Sequence, residues 1–358
     1  MVDRCAAIAW IFERFVRNCQ NCYSMGELTC IDEMLVGFRG RCRFRMYLPN
    51  KPRKYGLKIM ALTDARTHYF YNGYIYSGKE SDGLLLTHEE RALLKPTQSV
   101  LTLCRPIFNS NRNVTADNWF SSIEVMDELK KRGLTYVGTL KQNKKEIPKE
   151  FLPNRIREEG SSIYGFAKDY TIVSHVRKKG KCVVLISSMH HTANEDQETG
   201  KPEIISFYNQ TKGGVDALDQ KCTTYSTNRR TRRWPMTIFF TILNIAGINA
   251  HILHGCYKNN QTIKRKEFCK ILSRQLAEPY LNARLCNSRI PRELRLNIGR
   301  ILKKPLPMEE KEDANPNQKR KRCGICVRSN DKKTKMSCSK CLKPMCGDCR
   351  ANVCKNCI

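Results

Sequence analysis

No long uninterrupted apolar run occurs in this chain of 358 residues. The longest, Pro235 to Leu253, is broken by Asn244, Asn249 and His251, so it reads as a buried helix and not as a membrane span. Neither an N-terminal leader nor a charged amphipathic anchor is visible, which makes a membrane surface the weaker option as a partner. Acidic residues are scarce: 34 Asp and Glu stand against 64 Lys and Arg, a formal net charge of +30. Such an excess points to a polyanionic partner. There is no internal repeat, and the 7 histidines show no ligand spacing beyond His190-His191, a pair that reads as solvent-facing. The chain is nevertheless no disordered polyelectrolyte, because 41% of its residues are hydrophobic. Its length suits about two domains.

Cysteine is plentiful, but unevenly placed. Of 19, eight crowd into residues 323–358 as four C-x2-C pairs: Cys323/Cys326, Cys338/Cys341, Cys346/Cys349 and Cys354/Cys357. A C-x2-C turn aims two thiolates at one ion and two turns complete a tetrahedral S4 site, so eight cysteines hold two Zn²⁺. A segment this short with few large apolar side chains needs such staples to fold. The scattered remainder reads as reduced thiols, hence an intracellular protein. The spacing leaves the pairing open; interleaving, first with third and second with fourth, is preferred, as in cross-brace fingers. Only four residues separate Cys349 from Cys354, too few for the long hairpin of RING and PHD modules, which disfavours a ubiquitin ligase or a histone reader. Residues 319–358 carry twelve Lys/Arg and two Asp/Glu, and remain at about +6 after two Zn(Cys)4 sites form. Phosphate backbone is a fitting partner. Lys319-Arg320-Lys321-Arg322 fits a nuclear-localisation run, or a solvated basic linker.

Periodicity outlines the rest. Residues 8–23 carry apolar side chains at helical spacing, and Leu28 to Leu35 reads as a strand. Arg41 to Leu48 alternates, with Arg41, Arg43 and Arg45 on one face, and predicts another strand. Gly56–Leu62 and His68–Ile75 are β-rich, a helical patch lies near Glu89–Leu94, and Val114–Phe120 reads as a strand ending. A helix over Ser121–Arg132, stopped by Gly133, and a strand over Leu134–Leu140 follow. Residues 141–208 are basic and loop-rich with a hairpin, Tyr170–Val176 and Cys182–Ser187, and read as an all-β insertion. Residues 213–287 look helical throughout, and 305–317 form a linker. Strands first and helices later predict a mixed sheet covered by helices, an α/β fold.

Cutting and joining phosphodiesters with two metal ions requires carboxylates that hold both ions. Asp32 lies inside an apolar strand and faces opposite to Glu33; Asp117 ends a strand; Asp216 and Asp219 are three apart at a helix start, hence on one face. Acidic residues at a helix start are also ordinary dipole partners. Spacing alone leaves both readings open.

Four blocks in fixed order, "IDEMLVGFRGRCRFRMYLPNKPRKYGLKI" (31–59), "DNWFSSIEVMDELKKRGLTYVGTLKQNKKEIP" (117–148), "YNQTKGGVDALDQ" (208–220) and "RRTRRWP" (229–235), resemble the piggyBac family of DNA transposases, and the likeness ends in that family's Cys-rich module. The resemblance implies an RNase H-like catalytic core interrupted by an insertion domain. It implies a DDD triad on Asp32, Asp117 and Asp216, with Asp219 as a further aspartate near the site and two Mg²⁺ as catalytic ions. The implied reaction is cut-and-paste transposition: hydrolysis frees a 3′-hydroxyl, that hydroxyl closes a hairpin on the transposon end, and the opened end joins a TTAA target. The cysteine module would bind terminal repeats. A His in some relatives corresponds to Cys349, an equally good zinc ligand. The chain starts 31 residues before Asp32, so the likeness is to an N-terminally truncated member.

Arg229, Arg230, Arg232 and Arg233 adjoin Trp234; guanidinium groups grip phosphates and an indole stacks on an unpaired base, although a tryptophan packed at a helix start beside a solvated turn gives the same sequence. Arg41, Arg43 and Arg45 form a second candidate groove, and Lys141, Lys144 and Lys145 a third or a solvated loop. The organisation expected is a helical remnant of a dimerisation and DNA-binding region (1–26), an RNase H-like core (27–142), an insertion (143–207), the second core part (208–300), a linker with the basic run (301–322) and a zinc finger (323–358). The reading is a nuclear, DNA-binding transposase-derived protein, leaning to an active Mg²⁺-dependent enzyme, with self-association as a homodimer left open. Its alternative is a catalytically silent, domesticated sequence-specific DNA-binding protein.

Overall fold

The computed structural model describes residues 4–78, 81, 86–257, 263–306, 320–338 and 343–349. Its contacts separate two units, Met1–Lys266 and Glu267–Ile358.

The first unit is a sheet sandwiched between helices. An amphipathic helix α1 (Ala6–Cys22) opens it, followed by β1 (Leu28–Gly37), β2 (Met46–Tyr47), β3 (Tyr55–Asp64), β4 (Phe70–Ile75), α2 (His88–Ala92) and α3 (Lys95–Cys104). Then come β5 (Asn113–Ala116), α4 (Ile123–Lys131), β6 (Thr135–Thr139), β7 (Ser162–Phe166), β8 (Thr171–Lys178), β9 (Lys181–Ser187), α5 (Glu203–Thr211), α6 (Gly214–Thr223) and α7 (Trp234–Cys256). All nine strands share one sheet in the order β2-β3-β1-β5-β6-β9-β8-β7, with β4 also paired to β3. β1, β5 and β6 run parallel; the remaining pairs are antiparallel.

Alternation along β1 and β3 divides the core. Ile31, Met60 and Leu62 point to the side covered by α3 and α4, where Leu101, Leu103, Val125 and Leu129 are buried. Cys30, Met34, Leu57 and Ile59 point to the other side, against residues of α1, α6 and α7. Being covered on both faces makes β1 and β3 almost continuously apolar. Local signals fix the ends: the Ser122 hydroxyl accepts from the Val125 N–H at 3.2 Å to start α4, and Gly133, at φ +62°, stops it. The apolar helix α7 is long and apolar enough to cross a membrane, but here it packs Ile238, Ile242, Ile245 and Ile248 into the core. Its Asn249 amide accepts from Phe70 N–H at 3.0 Å and donates to Phe70 O at 2.8 Å, so the polar break in the apolar run is satisfied by the backbone of β4.

Two expectations are corrected, and one helix had no counterpart in the sequence reading. Arg41–Leu48 is not a strand: only Met46–Tyr47 pairs. The Arg45 guanidinium donates to the carbonyls of Arg39 and Gly40, both at 3.1 Å, and folds residues 39–45 into a turn. The alternation survives only as exposure, with Phe44 buried and Arg41, Arg43 and Arg45 exposed. Residues 213–287 are not helical throughout, because 224–233 are non-helical and carry the Arg229–Arg233 run. Helix α3 escaped the periodicity reading because polar and apolar residues alike are buried from Thr97 to Cys104; Gln98 and Thr102 spend their polar atoms on backbone carbonyls instead of on water. The expected hairpin is present as β8 and β9, and β9 pairs with β6, so these strands extend the main sheet.

The second unit holds most of α8 (Arg265–Cys286), then α9 (Arg292–Leu302) and a small hairpin, β10 (Lys321–Arg322) with β11 (Lys333–Thr334). Arg295 is buried and donates to Leu285 O at 3.0 Å, tying α9 to the end of α8.

Candidate catalytic and zinc-binding sites

Parallel pairing of β1 with β5 sets Ile31 opposite Ala116, so Asp32, midway along β1, comes next to Asp117, which directly follows the end of β5. Strand spacing there is about 4.8 Å. The period of two points both to the face carrying α5 and α6: Cys30 Sγ donates to Lys212 O at 3.0 Å, and the Thr115 and Thr211 hydroxyls share a hydrogen bond of 2.8 Å. Helix α6 begins directly on that face. A Cβ on Gly214 would lie 2.6 Å from Thr63 Oγ1 and 3.0 Å from Cys30 Cβ, so only glycine lets the helix start this close to the sheet. Asp216 occupies the first turn, exposed, and Asp219 lies one turn on, half-buried.

These carboxylates share one electrostatic field. Burial pushes the Asp32 carboxyl up to about 7; Lys51 pulls it back, while Glu33 and Asp117 push it further. Burial also raises Asp219, opposed by Lys51 and reinforced by Asp216. Glu33, on the opposite face of β1, is raised by burial, lowered by Lys58 and Lys51, and raised again by Asp117 and Asp216. Among the described residues, no three carboxylates bring their oxygens all within 4.8 Å of one another. Like charges repel, and Lys51 reaches in among them, its Nζ 3.1 Å from Asp216 Oδ1. As a donor set, carboxylate oxygens from three elements would suit a hard cation such as Mg²⁺.

Asp117 is oriented from its own loop. Its Oδ1 accepts the Trp119 N–H at 2.9 Å, and its carbonyl accepts the Ser121 hydroxyl at 2.9 Å. The Trp119 ring in turn faces the Lys58 ammonium, which sits 5.0 Å from both the Trp119 and the Tyr76 centroids. Beside Asp219 a cavity of about 280 Å³ is lined by Gly37, Lys51, Arg53 and Asn244. Lys51, Lys58 and Arg53 were not legible as site residues: a single lysine or arginine in a turn or strand carries no periodic or spacing signal.

The two arginine clusters, separate in sequence, meet in space. A Cβ on Gly40 would lie 2.8 Å from Arg232 O, and Phe44 packs edge-to-face on Trp234 with ring centroids 5.0 Å apart. Arg41, Arg43, Arg45, Arg229, Arg230, Arg232 and Arg233 are all exposed around this contact. Trp234 itself is half-buried as the first residue of α7. Lys141 and Lys145 are exposed and Lys144 half-exposed in the loop after β6.

In the second unit, the sulfurs of Cys323, Cys326, Cys346 and Cys349 all lie within 4.8 Å of one another. Cys326 Sγ is 3.5 Å from both Cys346 Sγ and Cys349 Sγ. Tetrahedral Zn–S bonds of 2.3 Å require about 3.8 Å between sulfurs, so this group fits zinc. The Cys346 N–H donates to Cys323 Sγ at 3.3 Å, as thiolate ligands commonly require. First and third C-x2-C pairs thus come together, the interleaved arrangement. Of the other two pairs, Cys338 is buried, whereas Cys341, Cys354 and Cys357 lie outside the described residues. So does Lys319 of the basic run.

Residues 1–251 match the family described as Transposase IS4. The human PiggyBac transposable element-derived protein 3 is 22% identical over 278 residues, covering 72% of this chain and 45% of the relative. Human PiggyBac transposable element-derived protein 2 is 23% identical over 269 residues, 70% of this chain and 44% of the relative. The chain therefore spans less than half the length of these curated relatives. Among solved structures, a cryo-EM structure of the piggyBac transposase synaptic complex with hairpin DNA matches with TM-score 0.81 and 37% identity, over 98% of this chain and 73% of that one.

Proposed function

Because the chain belongs to the piggyBac-type family of DNA transposases, we propose that it cleaves and transfers DNA strands at transposon ends through Asp32, Asp117 and Asp216. The observation that carries this reading is the register that sets Asp32 beside Asp117, with α6 pressed onto the same face by Gly214. The sheet order β4-β3-β1-β5-β6, three antiparallel strands and then two parallel ones, supports an RNase H-like core.

Asp32, Asp117 and Asp216 would hold two Mg²⁺. Divalent ions held by these carboxylates would supply activation of the attacking oxygen and charge stabilisation of the leaving one. Trp119 N–H and Ser121 fix the Asp117 loop, so that this carboxylate keeps one orientation. Asp219, held beside the end of β1, adds negative charge behind Asp216. The merged arginine surface would grip phosphates along double-stranded DNA, and Trp234, anchored on Phe44, keeps part of its ring open for a base. On this reading the products are a 3′-hydroxyl, a hairpin end and joining at TTAA, as the family resemblance implies. The four-cysteine group would hold one Zn²⁺ and the remaining pairs a second, making a basic module that binds terminal repeats. The basic run at 319–322 would direct the protein to the nucleus.

Incubation of labelled transposon-end DNA with Mg²⁺ tests the proposal. Wild type is expected to nick the end, and Asp117→Ala and Asp32→Ala to fall to background with DNA affinity kept. Equal background from wild type and Asp117→Ala would make the chain a silent DNA-binding protein instead.

A further inference from the structure

Lys51 follows β2 in a turn closed by its own N–H on Leu48 O at 3.3 Å. Its side chain, 18% exposed, leaves that turn and enters the carboxylate site. The ammonium donates to Glu33 O at 3.0 Å and to Asp216 Oδ1 at 3.1 Å, joining β1 to the first turn of α6. Asp216, by contrast, is 66% exposed at its side chain and could otherwise swing freely. An ammonium carries three donors, and two are spent on this bridge. A positive charge therefore already sits among the acidic groups, hydrogen-bonded to one of the three carboxylates the proposed metal site needs.

We infer that Lys51 is a positioning residue acting as the resident counter-ion of the carboxylate site: its ammonium holds Asp216 in place in the metal-free protein and competes with divalent metal for that carboxylate. The inference rests on the metal-site reading above. Lysine is suited to the part, being a compact point charge on a flexible stem that can leave Asp216 without unfolding its turn. Once displaced, the same ammonium lies at the mouth of a site that receives a phosphodiester, where a cation is again needed. Loss of Lys51 should therefore produce opposite effects on two measurements: metal binds more tightly, whereas DNA is cleaved more slowly. A lysine that only braced the fold would give no such split.

The experiment titrates Mn²⁺ into the full chain without DNA, read by calorimetry and by the loss of free Mn²⁺ resonance signal. Removing one positive charge from beside a divalent ion relieves repulsion worth about tenfold in affinity, so Lys51→Met is expected to bind Mn²⁺ about that much tighter than wild type. Lys51→Arg, which keeps the charge, and Lys54→Met, which removes a charge elsewhere in the turn, should stay within about twofold of wild type. Cleavage of transposon-end DNA by Lys51→Met should fall. Lys51→Gln replaces Lys51→Met if thermal melting shows the latter unfolded. Unchanged or weaker Mn²⁺ binding by the folded neutral variant, beside wild-type binding that Asp117→Asn abolishes, overturns the counter-ion role alone. Wild-type binding that survives Asp117→Asn, or no binding at all, overturns the metal-site reading together with it.

Discussion

Asp32 is a carboxylate that burial works against. Its pKa moves from about 3.9 in an unfolded chain to about 7 in the fold, chiefly through desolvation. Between those values the folded protein keeps a proton that the unfolded chain has released, so stability falls as pH rises through this window. Below the unfolded value the penalty is absent; above the folded value it is complete. Asp32→Asn, without divalent metal, is expected to be more stable than wild type by about 1–3 kcal/mol at pH 8, with the gain gone at pH 4. Denaturant titrations at both pH values measure this, and an equal difference at the two would show that Asp32 titrates normally. At this scale the sequence was partly readable. Periodicity set Asp32 and Glu33 on opposite faces and put Asp117 at a strand end, but the neighbouring of the two strands is long-range pairing that no local pattern gave. Nor did any pattern give the lysines around these carboxylates, because Lys51 reaches the site across a turn and Lys58 through the rings of Trp119 and Tyr76.

Among the elements, α6 decides whether the third aspartate reaches the other two. Alanine is favoured over glycine by up to about 1 kcal/mol in a helix interior and by less at the first residue, which Gly214 occupies in α6. At position 214 the added methyl meets Thr63 Oγ1 at 2.6 Å and Cys30 Cβ at 3.0 Å, in a fully packed part of the core. Overpacking therefore outweighs propensity, and Gly214→Ala is expected to cost about 1–3 kcal/mol and to lower cleavage by displacing Asp216. A variant of wild-type stability and activity would mean that α6 has room to spare. Strand and helix patterns located β1 and β3 as nearly continuous apolar runs, and β4, β6, α4 and the β8–β9 hairpin by their apolar stretches and the turns that bound them. They failed at Arg41–Leu48, where side-chain hydrogen bonds to the backbone override alternation, and at α3, which is buried on nearly all sides and so shows no polar stripe. The close approach of Gly214 had no sequence signature beyond the glycine itself.

For the whole molecule, the large positive charge is organised. Two arginine runs about 190 residues apart converge where Gly40 meets Arg232 and Phe44 meets Trp234, making one surface from what sequence could describe only as separate clusters. The cysteine tail was the opposite case: identical short spacings predict a metal module, because a C-x2-C turn preorganises two ligands without help from the rest of the fold, and the sulfurs of Cys323, Cys326, Cys346 and Cys349 do come together. Metal analysis of the full chain is expected to give about two Zn per molecule, with Cys326→Ser losing about half; an unchanged value for the variant would remove Cys326 from the ligand set.

The central claim is that Asp32, Asp117 and Asp216 jointly hold divalent metal. Iron(II) loaded in place of Mg²⁺ and driven to make hydroxyl radicals cuts the polypeptide next to wherever it is bound. Fragments ending near residues 32, 117 and 216, all suppressed by excess Mg²⁺ and all lost together in Asp117→Asn, are the predicted result. Cuts confined to one of the three segments, or elsewhere in the chain, would contradict it.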